Sequence, residues 1–205
     1  MFDLMRFRFL AFEGPEIDDF KTLRRLPGPL RDILRVVNGF VAFNGGFHLR
    51  GACTEPSWHA LSEVLGGELA MHKLFNPLRP GDVAFAQDAL GDQFVLRGSR
   101  VLRLYAETAQ IEDLKLDLDG FFEALQDDPL GFLDVQPLST FLDEGGRLAP
   151  GQLIQAEPPF SLQDSNQPTR LSAVPARERL LALSALGRQM TLIPDAGLFE
   201  LLGEP

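Results

Sequence analysis

Residues 82–106 read DVAFAQDALGDQFVLRGSRVLRLYA, and the way this stretch divides into runs decides the fold. Asp82–Gln87, Gln93–Arg97 and Arg100–Ala106 are short runs carrying Val, Phe, Leu and Tyr. DALGD separates the first two, and Gly98-Ser99 separates the second from the third. A two-residue connection led by glycine fits a type II′ turn, in which only the first residue needs positive φ. Gly91 is expected to supply positive φ in the longer turn. Connections this short join antiparallel neighbours, because parallel strands need a crossover of about a dozen residues or more. The stretch therefore predicts an antiparallel meander.

On the N-terminal side, Pro29 suits a first helical turn, and Leu30, Ile33, Leu34 and Val37 recur at i, i+3, i+4 and i+7. Asn38-Gly39 stops that pattern, so a helix is expected over 29–38. Asn44-Gly45-Gly46 reads as a turn into a strand at Phe47–Gly51. A second helix is expected over 57–65, capped by Ser57 with Trp58, Leu61, Val64 and Leu65 as its apolar stripe, and a shorter piece over 69–74. RFRFLAF at 6–12 reads as a strand and 16–25 as a short polar helix. On the C-terminal side, Asp119 is the expected cap of a helix carrying Phe121, Phe122 and Leu125. Asp128-Pro129 opens another, and Gly145-Gly146 closes a third over 139–144. Residues 150–175 hold five prolines and read as largely extended, with a strand at Gln152–Ala156, before a last helix at 176–190. Helices and strands mixed without βαβ periodicity place the chain in the α+β class.

The chain has 205 residues, room for one hydrophobic core and an appendage. It holds 17 Phe against one Trp and one Tyr, so its aromatic content is mostly apolar packing material. Its net charge of −10 argues against a nucleic-acid partner, which requires clustered Lys and Arg. Residues 88–146 contain thirteen acids and four bases, and so carry nearly all of that charge. No apolar run is long enough to span a bilayer, and the N-terminus, with Arg6 and Arg8 inside its apolar stretch, lacks a signal-peptide pattern. With a single Cys53 there is no intrachain disulfide framework, and a cytoplasmic location is the expectation.

The chemical motifs are sparse. His59 and Glu63, like Glu68 and His72, stand four apart, but Gly66-Gly67 lies between the pairs and no standard zinc spacing results. Cys53 with His48 or His59 imitates a nucleophile and base, although a lone Cys is more often a small buried residue. In a calcium-loop frame, KLDLDG puts Lys115 at the first ligand position and Gln126 at the last, where acids are required. No cofactor or metal is expected, and a protein-binding role is favoured over catalysis. An enzyme using His48, His59 or Cys53 is the remaining reading.

RRLPGPLRDILRVVNGF at 24–40 resembles the helix of the SUKH superfamily, in which a Leu-Pro pair precedes a helix ending in Asn-Gly. The 82–107 stretch resembles that superfamily's central meander, with Phe85, Asp88, Gly91, Asp92 and Phe94 in its pattern, and LDLDGFFEAL resembles its closing helix. The resemblance covers about residues 20–135. It implies a SUKH-like α+β domain over 1–146, a twisted antiparallel sheet surrounded by helices. Residues 147–205 are then an extension packed on that domain, and 57–75 an insertion. It further implies an immunity protein that neutralises a cognate bacterial toxin of nuclease type, or a regulatory scaffold of the same fold. On the immunity reading the partner is a basic toxin domain, and the expected contacts are Asp88, Asp92, Glu107, Glu112 and Asp113, which lie in or just after the meander loops.

Overall fold

A computed structural model describes residues 4–133, 135–163 and 168–192, and over these the meander is larger than its sequence signature. Seven antiparallel strands form one sheet: β1 (Phe12–Glu13), β2 (Phe40–Ala42), β3 (Phe47–Leu49), β4 (Val83–Asp88), β5 (Gln93–Arg97), β6 (Arg100–Tyr105) and β7 (Gln110–Leu116). Their order in space is their order in the chain. At the β5–β6 hairpin Gly98 has φ +61° and Ser99 is not in the positive region, as the II′ reading requires. Helices α1 (Phe20–Arg25) and α2 (Gly28–Val36) connect β1 to β2, while α3 (Leu61–Leu65) and α4 (Met71–Leu74) connect β3 to β4. After β7 come α5 (Leu118–Asp127), α6 (Pro129–Leu133) and α7 (Gln136–Asp143). A separate hairpin, β8 (Gln152–Glu157) and β9 (Arg170–Pro175), leads into α8 (Ala176–Leu192). The α+β class is as expected.

The two faces of the sheet differ in chemistry, because successive side chains on a strand point to opposite sides. Phe47 on β3 and Phe94 on β5 lie on one face and meet Phe121 of α5, with the Phe94 and Phe121 ring centroids 5.0 Å apart. Phe7, Phe40, Phe85 and Phe122 extend this aromatic layer. Phe85 stands where the β4–β5 register shifts between Ala84 and Ala86. The other face carries His48, Gln87 and Gln93, matched across β3, β4 and β5 by the register His48↔Gln87 and Gln87↔Gln93.

The helix expected over 29–38 forms as α2, with Leu30, Ile33 and Leu34 buried in the same cluster as Phe85, Phe94 and Leu102. The extension also joins this cluster through Leu153, Ala176, Leu180 and Leu183, and Ile154 N–H donates to the Ala89 carbonyl. Burying these aliphatic side chains, at about 1.5–3 kcal/mol each, is what docks α8 on the meander.

Three local expectations are corrected. RFRFLAF is not a strand: Leu4–Arg6 form a single 3-10 turn, Phe9 has φ +54°, and only Phe12 and Glu13 pair with β2. Ser57 does not cap a helix. Residues 57–60 are held in a turn whose backbone pairs with Gly51, His59 O accepting from Gly51 N–H and Leu61 N–H donating to Gly51 O, so α3 starts only at Leu61. The cap of α5 is Asp117, whose carboxylate accepts from Gly120 N–H, and Asp119 lies in the first turn.

Candidate functional site

The acid-rich segment begins with a turn built around one carboxylate. Asp88 Oδ1 accepts from the N–H groups of Leu90, Gly91 and Asp92 at 2.9, 3.0 and 3.0 Å. Its Oδ2 accepts from Arg103 Nη2 at 3.0 Å. Asx turns use Asp in this way, the side chain replacing a backbone acceptor. Arg103 also donates twice to Asp92 Oδ2, at 3.2 and 3.0 Å, while Asp92 Oδ1 accepts from Ala106 N–H. Burial and the neighbouring charge of Asp92 raise the Asp88 carboxyl, and Arg103 and the backbone N–H groups oppose them. The hydrogen bonds to Asp88 all come from donors and favour its carboxylate, against the upward push of burial and of Asp92. Gly91 has φ +98°, as expected, and a Cβ there would stand 2.7 Å from Leu183 Cδ1 of α8.

Glu107 ties the extension to the meander. Its Oε1 accepts from Arg179 Nη2 of α8 at 3.0 Å and its Oε2 from Ser161 N–H at 2.9 Å. Of the five acids expected to meet a partner, Asp88, Asp92 and Glu107 are therefore committed inward, and Asp88 is only 3% exposed. These acids lie in or just after the meander loops, but loop N–H groups and Arg103 take up Asp88 and Asp92, while Ser161 N–H and Arg179 of the extension take up Glu107. Glu112 and Asp113 are exposed on β7, where Glu112 accepts from Tyr105 Oη at 2.6 Å and Asp113 pairs with Arg100 at 3.1 Å. The N–H of Lys115 and the Arg100 guanidinium hold the Asp113 carboxyl below the usual range.

Around these two acids the surface is strongly negative. Between residues 110 and 128, Glu112, Asp113, Asp117, Asp119, Glu123, Asp127 and Asp128 are all exposed, against one exposed cation, Lys115. Asp119, Glu123 and Asp127 recur at i, i+4 and i+8 along α5, one stripe opposite buried Phe121, Phe122 and Leu125. Asp127 pairs with Arg6. β7 has a single neighbour, β6, so its outer backbone edge has no strand beside it among the described residues. A cleft of about 810 Å³ opens at the adjoining corner, lined by Asp92, Tyr105, Glu107, Gln110, Phe160 and Thr169 among others.

His48 and His59 do converge, but in the interior. His59 Nε2 lies 2.9 Å from the Asn38 carbonyl, which can only accept, so that nitrogen carries the proton and Nδ1 is left to accept. His48 Nε2 then donates across 2.8 Å to His59 Nδ1, and Gln87 Nε2 donates to His48 Nδ1 at 3.2 Å. Gln87 Oε1 in turn accepts from Arg50 Nη2 at 2.6 Å. The chain runs one way from guanidinium to carbonyl, and both imidazoles are neutral. Burial pushes His59 down to about 4 and His48 well below its ordinary value. Cys53 is buried, and burial with Asp18, Asp19 and Glu55 nearby raises its thiol to about 11, far from a reactive thiolate. Among the described residues no three His, Cys, Asp or Glu side chains group as metal ligands.

No family model matches the chain, and no curated protein matches it. It is similar to the crystal structure of Atu4351 from Agrobacterium tumefaciens, with 16% identity and a TM-score of 0.56 over 88% of this chain and 86% of that one. At this identity the likeness concerns the fold alone, an α+β architecture. No helix among the described residues is long and apolar enough to cross a membrane.

Proposed function

We propose that this protein is a non-catalytic immunity protein that neutralises a basic toxin domain in the cytoplasm, and that it meets the toxin through the acidic face of β7 and α5. The observation that carries this reading is the run of seven exposed carboxylates along β7, α5 and the two residues capping α5, against one exposed lysine in the same stretch and two pairings with exposed arginines, Asp113 with Arg100 and Asp127 with Arg6. Such a face raises the encounter rate with a cationic partner and repels acidic ones. The resemblance of 24–40, 82–107 and 116–125 to the SUKH superfamily points the same way. The acids that hold the fold together, Asp88, Asp92 and Glu107, are separate from those that would meet the partner.

The test is rescue from toxicity. A toxin domain encoded beside the gene is expressed in a bacterial host with the wild-type protein or with the triple variant Glu112→Lys, Asp113→Lys, Glu123→Lys. Wild type restores growth and forms a complex of fixed stoichiometry; the triple variant folds but rescues poorly. Failure of the wild type to rescue removes the immunity reading. Full rescue by the triple variant moves the contact surface elsewhere on the molecule.

A further inference from the structure

On an edge strand, every second residue turns its N–H and C=O away from the sheet. The two-residue turn at Gly98-Ser99 makes Arg97 and Arg100 a hydrogen-bonded pair, so Leu102 and Leu104 bond to β5, and Arg103 and Tyr105 bond to β7. The register Arg103↔Glu112 and Tyr105↔Gln110 therefore uses the backbone of Gln110 and Glu112. Ile111 and Asp113 point theirs outward, and none of these four groups has a backbone partner among the described residues. The next outward N–H, on Lys115, is already taken by Asp113 Oδ1 at 2.7 Å.

Sheet edges are commonly blunted against further pairing. β1, at the other edge of the sheet, is only two residues long. β7 runs for seven, and over 110–113 its register on β6 is unbroken. The cleft of about 810 Å³ begins at Gln110, so a strand laid along β7 has open space ahead of it at that end. Glu112 and Asp113 are exposed on opposite faces of this edge. Tyr105 and Arg100 bond to them within the sheet, yet the exposed carboxylates of 110–128 still outnumber Lys115, Arg100 and Arg6.

These charges choose the occupant. A second copy laid antiparallel on both Ile111 and Asp113 sets Glu112 directly opposite Glu112, in the close, non-hydrogen-bonded position where like charges are destabilising. A strand with cations at two consecutive positions instead meets Glu112 on one face and Asp113 on the other. We propose that β7 receives an extended, basic segment of the toxin domain as an eighth strand, bonded to the N–H and C=O groups of Ile111 and Asp113. This mode of binding rests on the contact surface proposed above and specifies how it is engaged. Main-chain bonds hold the segment, and a neighbouring pair of Lys or Arg side chains selects it.

Amide hydrogen exchange of the intact protein is followed residue by residue by NMR, free and with the toxin domain encoded beside the gene. Ile111 and Asp113 are expected to exchange fast when free and about tenfold or more slower when bound, while Glu112, bonded to β6, is slow in both states. Contact through side chains alone does not give that alternation. Ile111→Pro removes one outward N–H and leaves every carboxylate and the bonds to β6 in place. It is expected to weaken the complex on the order of tenfold. Unchanged exchange at Ile111 and Asp113, or an undiminished affinity of folded Ile111→Pro, overturns the added strand. If Glu112→Lys, Asp113→Lys, Glu123→Lys still weakens the complex in that case, the acidic face stands as a side-chain contact. A wild type that forms no complex overturns the strand and the immunity reading together. The exchange measurement needs only the wild type, so it decides the matter if Ile111→Pro does not fold.

Discussion

Gly91 shows how one residue can answer two demands at once. Its φ of +98° is strained for any residue with a Cβ, and the space where a Cβ would sit is taken by Leu183. Gly91→Ala should cost about 1–3 kcal/mol in urea unfolding. Because the obstructing atom is the end of a flexible side chain, Gly91→Ala with Leu183→Ala should be less destabilising than the sum of the two singles. Strict additivity would show that backbone strain alone accounts for the loss. The histidine chain makes a second prediction at this scale. His59 holds off its proton until about pH 4 when folded but accepts it near 6.5 when unfolded. Stability from this group is complete above about pH 6.5 and is lost as pH falls from there toward 4, by at most ~3 kcal/mol. His48, lowered for the same reason, adds loss of the same sign, while the raised Asp88 works in the opposite direction. The histidine share is therefore read by difference: His59→Gln should flatten the fall in stability between pH 6.5 and 4, even if it is less stable than wild type at pH 7.

Among the elements, α2 offers a clean contrast. Leu34 is 1% exposed, whereas Val36, two residues on, is 74% exposed. Leu34→Ala should cost about 2–5 kcal/mol, and Val36→Ala should fall within about 0.5 kcal/mol of wild type, both measured by chemical denaturation. This helix was readable because its apolar period matched its burial. β4, β5 and β6 were readable from their hairpin glycine and their Asp-rich turn. β7 was not: the register against β6 shifts between Val101 and Leu102, and Lys115 has φ +60°, so Ile111, Leu114 and Leu116 lose the alternation of two. β2 is three residues long and buried throughout, which leaves no alternation to read, and β9 was hidden in a proline-rich stretch. The site was half legible for a related reason. A count of charges located the acidic segment, but only coordinates separate carboxylates that serve backbone N–H groups from those left in water. Arg50, Arg103 and Arg179 were missed altogether, because a cation inside a strand or helix looks like any surface residue until its partners are known.

For the molecule as a whole, the proposed immunity role predicts that the acidic face accelerates association with a basic toxin domain by long-range attraction. Its rate constant should fall as salt rises and the screening length shortens to about 8 Å at physiological ionic strength. The Glu112→Lys, Asp113→Lys, Glu123→Lys variant should associate more slowly at low salt, as measured by stopped flow. An unchanged rate would show that the face does not steer.

The sequential strand order has a further consequence, for how the chain reaches its fold. β4 to β7 close through the short loops 89–92, 98–99 and 106–109, so each strand finds its partner within a few residues of chain. Little loop-closure entropy is spent in assembling this block. β1 and β3 must instead wait for the helices that bridge 14–39 and 50–82, and α8 can dock only after the 88–92 turn that Leu183 covers has formed. The meander at 83–116 is thus the natural folding nucleus, and the extension is its latch. Substitutions under α8 should mainly hasten unfolding, while those in β5 should slow folding.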